Sequence, residues 1–269
     1  MPDNPFIASR TMTANASLKL FGHPVDVVVT APVDPVQLGA ILPLIQQLAD
    51  TVVDVAVAEC HEQHIAISCK KGCGACCAQA VPLAPAEARL IRDLVKALPE
   101  PRRSTVRDRF RAARQAIEQA GLLDTFLDTS GLDSAEILEL GREYLRLQIP
   151  CPFLEDQACS IHPQRPVRCR EYLVTSSPEF CAGPEAAAIT RVQLPAEVLS
   201  AMLAVGGEAS HGVARWVPLT VALEWAESNP DLSMPRPGTR LVQDLFETLS
   251  GTKLPPADVP SLWPTHPSG

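Results

Sequence analysis

Apolar residues recur along this chain at a spacing of three and four over most of its length, and alternate only near its start. Leu18-Lys-Leu20 and Val25-Asp-Val-Val-Val29 flank Gly22-His-Pro24 and predict a short hairpin. Asp34 as N-cap and Pro35 at the first helical position predict a helix running to about His64. Its apolar positions include Leu42, Leu44, Ile45, Val52, Val53, Val55 and Val57, and Pro43 kinks or restarts it. Pro85 opens the next helix. Leu90, Ile91, Leu94, Val95 and Leu98 form its stripe, and Arg89, Arg92, Asp93 and Lys96 are assigned to water. A helix over 104–120 puts Val106, Phe110, Ala113 and Ile117 on one side and ends at Gly121. Asp133 and Glu136 form a capping box for a helix that buries Ile137, Leu140, Tyr144 and Leu147. Pro195 begins another with Val198, Leu199, Met202 and Leu203 inward, and Pro218 begins one carrying Val221, Leu223 and Trp225. The last runs from about Thr239 to Ser250 and is capped by Gly251. The prolines after Leu254 predict an extended tail that Leu262-Trp263 would anchor.

These elements predict a mostly α protein. A single helical domain over 17–253 carries a short N-terminal β-hairpin and an irregular cysteine-rich metal-binding centre, with the metal-binding core over 65–182. A loose N-terminus covers 1–16 and a proline-rich tail covers 254–269.

Two stretches follow neither period. The first is Cys69-Lys-Lys-Gly-Cys73-Gly-Ala-Cys76-Cys77. The second runs from Cys151-Pro-Phe-Leu through Cys159-Ser-Ile-His-Pro to Cys169, with Cys181 behind it. They hold eight of the nine cysteines. How to read them depends on where the chain resides. Its start has no basic segment followed by an apolar run, so no secretory leader is expected. The longest apolar stretch, Leu38 to Ala58, is interrupted by Gln46, Gln47, Asp50 and Asp54, so no membrane span is expected either. A cytoplasmic location follows as the expectation. There thiols stay reduced, and clustered cysteines mean metal or redox chemistry rather than disulfides.

The candidate metal ligands are therefore Cys69, Cys73, Cys76, Cys77, Cys151, Cys159, Cys169 and Cys181. Thiolates are soft ligands suited to zinc and to iron–sulfur clusters. Gly72 and Gly74 favour a loop that turns sharply and passes into a helix. In a continuous helix, Cys69, Cys73, Cys76 and Cys77 would share one face, so either geometry clusters the sulfurs. Vicinal Cys76 and Cys77 diverge, so the two are not expected on one metal. A metal would fix the proline-rich second loop, which cannot pack well alone. Cys60, on the first long helix, reads as a buried hydrophobe. His162 is a weaker candidate ligand, and His61 and His64 are assigned to solvent. Arg165, Arg168 and Arg170 would stabilise an anionic cluster, hold a substrate carboxylate or phosphate, or pair with Glu155, Asp156 or Glu171. No residue is assigned a catalytic role.

With a net charge of −8, the chain is a poor general binder of nucleic acid. Arg102, Arg103, Arg107, Arg109, Arg111 and Arg114 crowd one helix. They form either a docking face or a solvated face balanced by Asp108 and Glu118.

The pattern Cys-x3-Cys-x2-Cys-Cys followed by Cys-Pro-Phe-Leu…Cys-Ser-Ile-His-Pro-x-Arg-Pro-x-x-Cys-Arg-x-Tyr resembles the YkgJ-type cysteine-cluster family of zinc- or iron-chelating proteins, over about residues 65–182. The same cysteine pattern occurs in flagellin lysine N-methylases. The resemblance implies metal binding. It extends more weakly to methyl transfer from S-adenosylmethionine onto a protein substrate. Three readings follow. One is an iron–sulfur protein, with a four-iron cluster, serving as a protein-lysine methyltransferase or maturation factor. Another is a zinc-stabilised binding module that docks a protein partner without catalysis. The third is a radical S-adenosylmethionine enzyme, suggested by the spacing of Cys69, Cys73 and Cys76. The helical pattern and Ala75, where an aromatic is usual, argue against the third. No strand followed by Gly-x-Gly-x-x-Gly is present, so no Rossmann domain is expected.

Overall fold

The computed structural model describes residues 10–129, 131–183, 188–206 and 216–251. Strands β1 (Thr11–Leu20) and β2 (His23–Pro32) pair antiparallel from Thr11 opposite Pro32 to Leu20 opposite His23. The hairpin is longer than expected and begins inside the stretch assigned to a loose end. Its two turn residues, Phe21 and Gly22, have φ of 48° and 86°, as a turn matching the strand twist requires. Ala16, Leu18, Leu20, Val29 and Ala31 face the core, and the intervening positions are mostly exposed.

The helix expected to open at Asp34-Pro35 does not. Pro35 lies in the two-residue strand β3 (Pro35–Val36), and Asp34 takes a 2.8 Å hydrogen bond from the Arg10 guanidinium instead of capping. A 3-10 turn over Leu38–Ile41 leads into α1 (Leu42–Glu62). Pro43 sits in its first turn, where a missing N–H costs no helical bond, so it starts the helix. The turn and α1 together, Leu38–Glu62, are long and apolar enough to cross a membrane by length and mean hydropathy (1.5), despite their polar residues. Half of that window is buried inside the fold. Ile45, Leu48, Ala49, Val52 and Ala56 pack there, and Asp50 pairs with Arg170.

Strand β4 (Pro82–Leu83) precedes α2 (Pro85–Ala97), α3 (Arg102–Gln119), α4 (Leu123–Leu127) and α5 (Ser134–Arg146). On α3 the four expected positions, Val106, Phe110, Ala113 and Ile117, are the buried ones. Asp133 caps α5 by accepting from Ala135 and Glu136 N–H, and Glu136 accepts from Asp133 N–H. Two assignments are corrected. Arg89 is buried rather than solvated. It donates to Asn229 O, lies 3.6 Å from an Asp231 carboxylate oxygen and covers the Trp225 ring. Ile137 is exposed, because α5 meets the core only from Leu140 onward, through Tyr144 and Leu145.

Strands β5 (Leu154–Glu155) and β6 (Ala158–Cys159) form a miniature hairpin ahead of α6 (Val167–Glu171). Helix α7 (Val198–Gly206), strand β7 (Val217–Pro218), helix α8 (Ala222–Ser228), strand β8 (Arg236–Pro237) and helix α9 (Gly238–Ser250) follow. Pro218 thus ends a strand, and three residues of 3-10 turn separate it from α8. Gly251 ends α9 at φ 65°. The expected tail, with Leu262 and Trp263, lies outside the described residues.

Two apolar clusters form the interior. The hairpin, α1, α7 and α9 build one; α2, α3, α4, α5 and α8 build the other. β7 pairs with β4 and β8 with β3, all antiparallel, so the C-terminal third ties back to both early segments. The second cysteine loop spans both clusters: Phe153 and Ile161 belong to one and Val167 to the other. Among the described residues every sheet is a two-stranded antiparallel ribbon.

Candidate metal centre

The first cysteine block is a loop followed by one 3-10 turn over Ala75–Ala78, so the glycine-led reading holds over the helical one. Gly72 turns the chain at φ 84°, and Cys73 N–H bonds to Lys70 O at 3.1 Å. Gly74 lies where the blocks meet. A Cβ there would stand 2.7 Å from Leu154 Cδ1 and 3.0 Å from the Gln157 side-chain oxygen. A side chain there would push both of these side-chain ends aside.

The second block folds around the β5–β6 hairpin. Its turn residues, Asp156 and Gln157, both adopt positive φ (48° and 60°) without a glycine. The two blocks then join directly: Cys151 N–H bonds to Cys77 O at 2.7 Å. Cys169 comes in on α6. Cys181 closes a 3-10 turn over Pro178–Cys181 that packs on the Ala75–Ala78 turn. Gln79 fastens this corner by donating to Cys181 O at 2.8 Å and to the Tyr172 hydroxyl at 3.0 Å. Ser68 N–H and its hydroxyl reach Val174 O and Thr175 O at 2.9 and 3.1 Å. Cys60 lies apart, buried on α1 beside Ala56 and Val192.

Of the other seven clustered thiols, six interact electrostatically with Cys76. Cys151, Cys159 and Cys169 feel its charge and one another's. Cys69 and Cys181 feel it too, together with that of Cys73, and Cys77 shares a hydrogen bond with it. The set thus has two lobes, one of Cys151, Cys159 and Cys169 and one of Cys69, Cys73 and Cys181, with the vicinal pair between them.

Burial raises the thiol pKa of Cys69, Cys159, Cys169 and Cys181, and that of Cys151 to about 12. For Cys76 the hydrogen bond with Cys77 is the largest cause, ahead of burial. Like charges crowded in a partly dry site resist ionisation, and a bound cation reverses that balance. Opposing the burial, Val174 N–H donates to Cys69 Sγ at 3.4 Å, and neighbouring backbone amides lower the thiol pKa of Cys151 and Cys159. Amides in this position stabilise thiolate ligands.

The donor set fits zinc or iron in chemistry and in number. As the side chains stand, no group of three or more His, Cys, Asp or Glu among the described residues is drawn tightly enough to hold an ion. All of the eight except buried Cys181 are partly exposed.

The neighbouring residues divide between roles. Arg170, 6 % exposed, reaches Asp50 at 2.5 Å and clamps the loop carbonyls of Pro163 and Arg165, so it is structural. Exposed His162 accepts a 2.9 Å hydrogen bond at Nε2 from Arg165, whose charge lowers the ring's pKa. His61 and His64 are exposed. Sequence reasoning missed Gln79 and the way two buried carboxylates hold α6 at both ends, although Glu171 was named as a partner for the nearby arginines. Glu87 accepts from Val167 N–H at 2.8 Å and Ala84 N–H at 3.1 Å, and burial raises its pKa to about 7. Glu171 accepts from Val198 and Leu199 N–H at the start of α7. The only clue was the position of Glu87 in the first turn after Pro85.

A cysteine-lined centre built from two loops on a helical scaffold is the class of site that fold and geometry define. Residues 68–186 match the CxxCxxCC family model, described as a zinc- or iron-chelating domain. The match spans less than half of the chain and contains all eight clustered cysteines. Neither the curated proteins nor the solved structures gave a match.

Proposed function

We propose that this centre holds an iron–sulfur cluster in a reducing, cytoplasmic setting, and that the chain works on or with a protein partner, as a lysine methyltransferase or a maturation factor. The observation that carries the metal reading is the 2.7 Å bond from Cys151 N–H to Cys77 O, which brings two distant cysteine blocks together around Cys76. The Val174 N–H bond to Cys69 Sγ supports a cluster, since hydrogen bonds to sulfur tune such centres. When bound, such a cluster supplies electron transfer or a Lewis-acidic iron.

The two-lobed arrangement favours one second reading: eight thiols suffice for two closed four-thiolate zinc sites in a non-catalytic binding module. Among the described residues the antiparallel ribbons form neither a doubly wound sheet nor a parallel barrel, so S-adenosylmethionine would have to enter a helical setting. A protein partner fits better than nucleic acid, because Arg102, Arg103, Arg109, Arg111 and Arg114 on α3 all have carboxylate partners. Partial burial of α1 argues against a membrane role.

The test is protein purified without oxygen. Brown protein with matching iron and acid-labile sulfide supports the cluster, and S-adenosylmethionine binding is then measured by calorimetry. Colourless protein with stoichiometric zinc moves the assignment to the binding module.

A further inference from the structure

The three arginines of the second cysteine block differ in what surrounds them. Arg170 is occupied by Asp50 and two loop carbonyls. Arg168, on α6, faces the charge of Glu171. Arg165 has no carboxylate partner among the described residues, although the chain as a whole is acidic. It lies between Cys159 and Cys169 in the chain. Its backbone is pinned by its own N–H to His162 O at 3.3 Å and by Arg170 Nε to its carbonyl at 3.0 Å. One terminal nitrogen donates to His162 at 2.9 Å, while its Nε–H is buried with no acceptor in the protein. A buried cationic donor without an acceptor is costly, so such a group points to a partner that completes it. Its positive charge favours the thiolates of Cys69, Cys76 and Cys159, drawn from both cysteine blocks.

We infer that Arg165 is a positioning residue of the metal centre, its buried Nε–H directed to a metal-bound sulfur and its charge offsetting the negative charge that thiolate ligands keep after a metal binds. This rests on the metal reading above. The arrangement follows from charge balance: four thiolates on a dicationic centre, whether a cluster core or a divalent ion, leave two negative charges uncompensated, and a charge-assisted hydrogen bond in a partly dry site compensates one of them. It also separates the arginines, because Arg168 and Arg170 already face protein carboxylates.

The experiment compares wild-type protein with Arg165→Gln, Arg165→Lys and Arg168→Gln, all loaded with metal. The rate of metal transfer to a coloured chelator is read together with the urea midpoint of the metal-free proteins. Arg165→Gln should release metal about tenfold to a hundredfold faster, the scale of losing a supporting group around a metal site. Arg165→Lys should fall between, and Arg168→Gln should stay within about twofold of wild type, with metal-free midpoints unchanged. Release from Arg165→Gln at the wild-type rate overturns the inference while leaving the metal site intact. Equal acceleration in Arg168→Gln, or a matching drop in the metal-free midpoint of Arg165→Gln, overturns it by showing a general charge effect or a purely structural role. Folded wild-type protein that takes up no metal overturns both readings.

Discussion

The α3–α5 side of the molecule and the cysteine loops are ordered by different forces. On the helical side, Val106, Phe110, Ala113, Ile117, Phe126 and Tyr144 are all buried. Phe126 stacks on Tyr144 with ring centroids 5.3 Å apart. Burial of this kind is self-sufficient, because each side chain removed from water contributes about 1.5–3 kcal/mol. The loops have few such anchors, chiefly Phe153, Ile161 and Val167. Between those anchors they are held by backbone bonds, by Gln79 and by thiols whose mutual repulsion opposes their own gathering. The contrast is between a region held by continuous apolar packing and one held at a few apolar anchors and otherwise by polar and backbone bonds.

The comparison is sharpened first by striking the scaffold. Phe126→Ala should cost about 3–5 kcal/mol of stability, read as a lower urea midpoint, with the metal content of the folded fraction unchanged. A loss of metal in that fraction would show that the two regions are not separate.

Glu87 sits at their junction, linking α2 to the α6 helix that carries Cys169. Its raised pKa means that the folded state holds the proton to about pH 7, while the unfolded chain releases it in the ordinary carboxylate range. The contribution of Glu87 is therefore full at low pH and is lost as pH rises through about 7, by roughly 3 kcal/mol. Glu87→Gln does not titrate. Its stability relative to wild type should improve as pH is raised from about 5 to about 8, in paired urea titrations. A constant difference across that range would mean that the carboxyl is already ionised in the folded protein.

Smaller effects are expected at the periphery. Asp133→Ala removes the cap of α5 and should lower stability by about 1 kcal/mol, with no change in metal content. A change in metal content would show that α5 helps to order the second cysteine loop.

The helices were legible where one face meets the core along the whole element. On α3 the expected stripe and the buried residues coincide. Legibility failed where distant partners decide. Arg89 looks solvated on a helical wheel, yet Trp225, Asn229 and Asp231 cover it from the other end of the chain. Ile137 fits the stripe of α5 but lies beyond the edge of the body. Thr11 to Ser17 carry weak alternation, so their strand was hidden until β2 supplied its partner. The cysteine blocks were legible from spacing and glycine alone. Their joining through Cys151 and Cys77, and the duties of Gln79, Glu87 and Arg165, were not, because each depends on backbone groups brought close only by the fold.

The central claim is that both blocks contribute to one metal centre. Its most direct test is metal content per chain, measured on protein purified without oxygen, for wild type, Cys73→Ser, Cys159→Ser and Cys60→Ser. The account predicts metal in wild type and Cys60→Ser, and loss of metal when a cysteine of either block is removed. Undiminished metal in both Cys73→Ser and Cys159→Ser would contradict it.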